Sequence, residues 1–122
     1  PLGNFTLDFH SKNARQLVMI AGGSGITPIM GIAKSLLINE PQSKVSLLFC
    51  SRSEEGIIFK KTLDNLEAQY GSRFQVTHQL SKPSASWTGS KGRLNHTVLA
   101  NYLDSAIDKN VESTHFFLCG PE

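Results

Sequence analysis

The chain predicts an α/β fold, a three-layer α/β/α sandwich built on a parallel, Rossmann-like sheet. Three observations predict it. Apolar runs recur at similar intervals, over residues 17–21, 45–50, 74–80 and 115–119. Segments of helical periodicity separate them, and three glycines crowd the first strand-to-helix junction. Strands alternating with helices specify right-handed crossovers onto one parallel sheet, with helices on both faces.

The first strand is Leu17-Val18-Met19-Ile20-Ala21, read as buried, and it runs straight into Gly22-Gly23-Ser24-Gly25-Ile26-Thr27-Pro28. Thr27 and Pro28 are the pair expected at a helix N-cap and at the first helical position. Ile29, Ile32, Ala33, Leu36 and Leu37 then fall at helical spacing, which predicts a helix over 28–39. Strand, glycine turn and helix start aim backbone N–H groups and the positive end of a helix dipole at one spot, which suits a phosphate. A Cβ at these glycines would obstruct both the tight turn and the approach of a ligand. Residues 22–28 therefore read as a diphosphate cradle. They form neither a P-loop, since no Gly-Lys-Ser/Thr follows, nor a strict G-x-G-x-x-G.

The second strand ends at Cys50-Ser51-Arg52, and Phe59, Leu63, Leu66 and Tyr70 mark the second helix. The third strand ends at Ser81-Lys82. An irregular segment follows over 81–92, in which Trp87 either caps the core or meets a ligand. Leu94, Val98, Leu99, Tyr102 and Leu103 mark the third helix, with Asn95 or Thr97 as its cap. The last strand ends in Cys119-Gly120-Pro121. Ligands of such sheets bind beyond the carboxyl ends of the strands, where these four groups converge.

Composition narrows the class. A chain of 122 residues with 39% hydrophobic and 18% charged residues is one ordinary globular domain. A net charge of +2 without a basic stripe gives no reason to expect nucleic acid. The apolar runs are too short to span a membrane, and the first residues do not form a signal peptide. Cys50 and Cys119 read as reduced thiols of a cytoplasmic protein, too few for a four-thiolate cluster. The four histidines show no metal-ligand spacing, and no metal site is expected.

Three motifs, in order and in register, resemble one family. The glycine segment at 21–28, Trp87-x-Gly89-x-x-Gly92-Arg93-Leu94 and Cys119-Gly120-Pro121 are similar to the pyridine-nucleotide domain of ferredoxin–NADP reductase-like oxidoreductases. Their spacing most resembles reductase components of bacterial oxygenases, such as the phenylacetyl-CoA type. The resemblance implies a five-stranded parallel sheet preceded by an FAD-carrying barrel. It implies that Gly23, Gly25, Thr27 and Pro28 hold the pyrophosphate and nicotinamide ribose. It also places Cys119, Gly120 and Pro121 at the nicotinamide–flavin junction, with the Cys119 side chain near the hydride-donating carbon. Residues 1–8 resemble the crossover out of the barrel, and residues 9–122 the nucleotide domain without its last helix and strand. The implied partners are NAD(P)H, the FAD domain, and an iron–sulfur protein, 2Fe-2S domain or oxygenase component.

For the nucleotide, the resemblance puts the adenosine ribose beyond the third strand. NADH-specific relatives place an aspartate there, whereas this chain has Ser81-Lys82. A hydroxyl and an ammonium, assisted by Arg52, suit the 2′-phosphate of NADP(H). Glu54 and Glu55 favour the ribose diol of NAD(H) instead, so NAD stays open. Two other classes stay open as well. One is a module that senses NAD(P)H without reducing anything; the other is a methyltransferase-like domain, which would want an acid where Ser51-Arg52 stands.

Overall fold

The computed structural model describes residues 8–111 and 113–120. Strands β1 (Arg15–Gly22), β2 (Lys44–Ser51), β3 (Phe74–Leu80), β4 (Ser90–Lys91) and β5 (Ser113–Cys119) form one sheet in the order β4-β3-β2-β1-β5. Every neighbouring pair is parallel. Helices α1 (Ile26–Asn39), α2 (Lys60–Tyr70) and α3 (His96–Ala106) supply the crossovers.

The interior strand β1 shows why its sequence is an unbroken apolar run: both of its faces are covered. Leu17, Met19 and Ala21 join a core with Ile29, Ala33 and Leu36 of α1 and Leu63 and Leu66 of α2. Val18 turns the other way, to Leu48 and Tyr102 of α3. The Tyr102 hydroxyl lies 2.8 Å from Ser46 Oγ, so its polar tip is satisfied under α3. Burial pushes its pKa up to about 12.

Where β1 and β2 begin, at the amino edge of the sheet, a buried ion pair organises the chain. Arg15 donates to both Glu40 oxygens, at 2.9 and 2.7 Å. Glu40, with no solvent exposure, also accepts from the His10 amide, Asn13 and Ser43. Arg73 donates to the carbonyls of Leu37, Glu40 and Ser43, closing the turn between α1 and β2.

Three sequence expectations change. The helical path begins at Gly23 rather than Pro28, because Gly23–Gly25 form a 3-10 turn continuous with α1 and Gly25 is already right-handed helical. Thr27 and Pro28 are thus the second and third residues of α1 rather than its cap and first residue; a proline inside the first turn costs no helical hydrogen bond. Phe59 stands outside α2 as its N-cap residue, 44% exposed and left-handed at φ 62°, a strained conformation for an aromatic residue. The segment read as irregular holds β4, two residues paired with Gln79 and Leu80. Among the described residues no helix is long and apolar enough to cross a membrane.

Candidate functional site

Because all strands run in parallel, their carboxyl ends share one edge. A cleft of about 470 Å³ opens there, and Gly22, Gly23, Ser51, Arg52, Ser81 and Arg93 line it. Backbone bonds set the strand tips side by side. Ser81 N donates to Ser51 O at 3.0 Å, Lys82 N to Arg52 O at 2.7 Å, and Gly92 N to Leu80 O at 2.8 Å.

At one end of the cleft is the glycine turn. Gly23 has φ 53°, which an L residue adopts only with strain. Neither the turn nor α1 receives a side-chain cap, so the helix start is left to an external acceptor. Ser24 and Thr27 are exposed beside it. Ile26 differs: its side chain is fully buried in the core, and its amide is already bonded to Gly23 O and Ser24 O. Gly25 differs too. Its φ of −62° is open to any residue, and what it approaches closely is the Cys119 backbone.

The far end of the cleft is cationic. Arg52, Lys82 and Arg93 form no ion pair among the described residues. Arg93 and Lys82 are both exposed, but only Arg93 lines the cleft, while Lys82 contributes its backbone bond to Arg52. The signal for Arg93 was present in the sequence, directly after Gly92, but it entered only as part of a motif. Ser51 Oγ is buried without a hydrogen-bond partner, a group that a ligand would satisfy. Glu54 does not face a ribose. It accepts from the Ser84 amide at 3.0 Å and the Ser84 hydroxyl at 2.6 Å, which hold its carboxyl below the usual range.

Other candidates lie elsewhere. Trp87 packs against the core and donates to Ser90 O at 2.9 Å; it braces the loop and is not among the cleft-lining residues. Cys119 is 2% exposed and belongs to the core under α1 rather than to the lining of this cleft. Burial pushes up the thiol pKa of Cys119 and of Cys50, so both are protonated at neutral pH. Gly120 is exposed at the end of β5, and Pro121 lies outside the described residues. Among the described residues no cluster of metal-ligating side chains is found.

An edge with an uncapped glycine turn at one end and unpaired cations with an orphaned hydroxyl at the other fits an elongated anionic ligand with two phosphate centres. Comparison with known proteins agrees. The family model described as "Oxidoreductase NAD-binding domain" matches residues 19–122. NADH-cytochrome b5 reductase 2 of Aspergillus niger is 38% identical over 114 residues, 93% of this chain and 34% of that protein. Rat NADH-cytochrome b5 reductase 1 is 35% identical, covering 98% of this chain and 40% of its own length. The chain therefore spans well under half of these relatives. Among solved structures, the cytochrome b5 reductase domain of Ulva prolifera nitrate reductase superposes with a TM-score of 0.76. It is 25% identical, over 90% of this chain and 41% of that one.

Proposed function

Since this chain belongs to the oxidoreductase NAD-binding domain family, we propose that it docks a nicotinamide dinucleotide for hydride transfer to an FAD held by another domain of its parent enzyme. The observation that carries this reading is the single edge on which the glycine turn and the acid-poor cationic cleft meet. The diphosphate sits on Gly22, Gly23 and Ser24 at the start of α1. The adenosine end sits among Ser51, Arg52, Ser81 and Arg93. The backbone of Cys119 and Gly120 at the end of β5 borders the nicotinamide. The nicotinamide supplies the hydride and the flavin accepts it, while the protein binds, orients and excludes water.

Residues 1–8, of which 1–7 lie outside the described residues, resemble the crossover from such a flavin domain, and electrons leave singly to a haem or iron–sulfur acceptor. Cytochrome b5, which the relatives' names carry, is one such acceptor; an oxygenase component is the other class. The reductase names of the relatives favour this reading over a sensing module. The two free thiols support a cytoplasmic setting.

NADP(H) is the preferred nucleotide. Two arginines and two serines line the cleft and no acid does, and Glu54 is bound to Ser84. A dianionic 2′-phosphate gains from such a lining, and a ribose diol finds no free carboxylate in it. Calorimetric titration with NADPH and NADH tests the reading. Both should bind, NADPH more tightly; failure of either to bind would remove the docking function, and equal affinities would remove the preference. The purified chain should show no flavin absorption, and stoichiometric FAD would overturn the domain assignment.

A further inference from the structure

We infer that Gly25 is a positioning residue whose missing side chain couples the glycine turn to the end of β5. The inference rests on the docking function proposed above. Conformation does not require glycine at this position, since φ −62° and ψ −10° are ordinary helical values. Space does. A Cβ would stand 2.5 Å from the Cys119 carbonyl oxygen, 2.8 Å from its carbonyl carbon and 3.0 Å from the Gly120 oxygen. All three atoms are backbone, so no side chain can swing aside to make room. Strand register adds to the constraint, because Ala21 of β1 pairs with Cys119 of β5 immediately below the turn.

The contact joins the two segments that seat opposite parts of the ligand. The turn faces the diphosphate, and Cys119-Gly120 borders the nicotinamide. With Gly25 in place, a load on the turn is transmitted as backbone contact to the end of β5. A larger residue at position 25 must lift one segment from the other, displacing the nicotinamide seat while Arg52, Ser81 and Arg93 stay where they are.

The experiment compares the chain with Gly25→Ala and with Gly31→Ala, on the exposed side of α1, whose Cβ meets nothing within 4 Å. Affinities for NADPH and for adenosine 2′-phosphate, which has the 2′-phosphate but neither phosphate of the diphosphate, are measured by calorimetry. Gly25→Ala should lose about tenfold or more for NADPH and under about twofold for adenosine 2′-phosphate, given what overpacking a tight contact costs. General destabilisation would weaken both alike, and that result would overturn the inference. Gly31→Ala should match the parent for both ligands.

A second measurement needs no substitution at Gly25. Alkylation of the buried Cys119 thiol, followed by peptide mass spectrometry, reports local opening at the end of β5. ADP carries a diphosphate but no nicotinamide, and at saturation it should slow this alkylation about threefold or more by fixing the turn. Bound ADP with an unchanged Cys119 rate would sink the coupling. Absence of ADP binding would sink the docking function instead, so the two failures are distinct.

Discussion

At the scale of single residues, the adenosine end of the cleft invites a charge test. Ser81 sits at the tip of β3 between two arginine-bearing segments, with its amide bonded to Ser51 O. Ser81→Asp would set a carboxylate against a 2′-phosphate, at a cost on the order of 1–3 kcal/mol, roughly 5- to 150-fold in NADPH affinity. NADH lacks that phosphate, so its affinity should hold or rise as the carboxylate accepts from the ribose diol. Arg93→Gln should weaken NADPH binding and flatten its salt dependence, because the lost contact is a partly screened charge pair. Lys82→Gln should do less, since Lys82 is not among the cleft-lining residues. The quantity to follow is the NADPH-to-NADH ratio of dissociation constants at fixed ionic strength. If Lys82→Gln moves that ratio and Arg93→Gln does not, the cleft is read by Lys82 as the sequence first suggested, and Arg93 has no role in the choice.

At the scale of elements, local chemistry sets where the helices start. Asn95 Oδ1 accepts from the Val98 amide at 2.9 Å, the side-chain cap of α3. Asn95→Ala should cost about 1 kcal/mol, read as a lower urea midpoint with an unchanged slope. Gly23→Ala forces an L residue to φ 53° and should cost about 1–2 kcal/mol in the same assay. The cap of α3 was legible in the sequence as a choice between Asn95 and Thr97, and so were the four long strands, whose apolar runs are long because the sheet is covered on both faces. The strand tips that carry the cleft followed from the parallel order alone. Other features were not legible, for physical reasons. The start of α1 is hidden because Gly25 takes a helical conformation that its sequence signature, a turn glycine, does not advertise. Strand β4 is two polar residues long, too short for any period. Phe59 keeps helical spacing with Leu63 and Leu66 although its own backbone is left-handed. Glu54 looked free to hold a ribose until its partner Ser84, thirty residues away, was placed.

At the scale of the whole molecule, the two edges of the sheet divide the work. The carboxyl edge keeps unpaired cations and an orphaned hydroxyl for a ligand, while the amino edge has its polar groups paired, centred on Arg15 and Glu40. Burial alone would push the Glu40 carboxyl up, but hydrogen bonds from Arg15, Asn13, the His10 amide and Ser43 bring it from 4.5 down to about 2. The unfolded chain therefore binds a proton before the folded one does. Stability from this group is complete above pH 4.5 and is lost as pH falls toward about 2. The amount at stake is about 3 kcal/mol. His78 acts in a higher window with the same sign. Its buried Nδ1 has no partner, and burial, with Lys60 opposing Glu67 and Asp64, lowers its pKa from 6.5. Stability should thus begin to fall below pH 6.5 on account of His78 and fall again below pH 4.5 on account of Glu40. Urea unfolding across this range should show both losses in the parent, and His78→Gln should remove only the upper one. Glu40→Gln should lower stability at neutral pH by about 3–5 kcal/mol, since Arg15 is left buried without its charge partner. It should also flatten the profile below pH 4.5. At neutral pH the folded fraction of Glu40→Gln should bind NADPH with the affinity of the parent, because the pair lies at the edge opposite the cleft. A steep acid limb that survives Glu40→Gln would place the acid sensitivity in other carboxylates. Lost nucleotide affinity in the folded variant would show that the two edges are not independent.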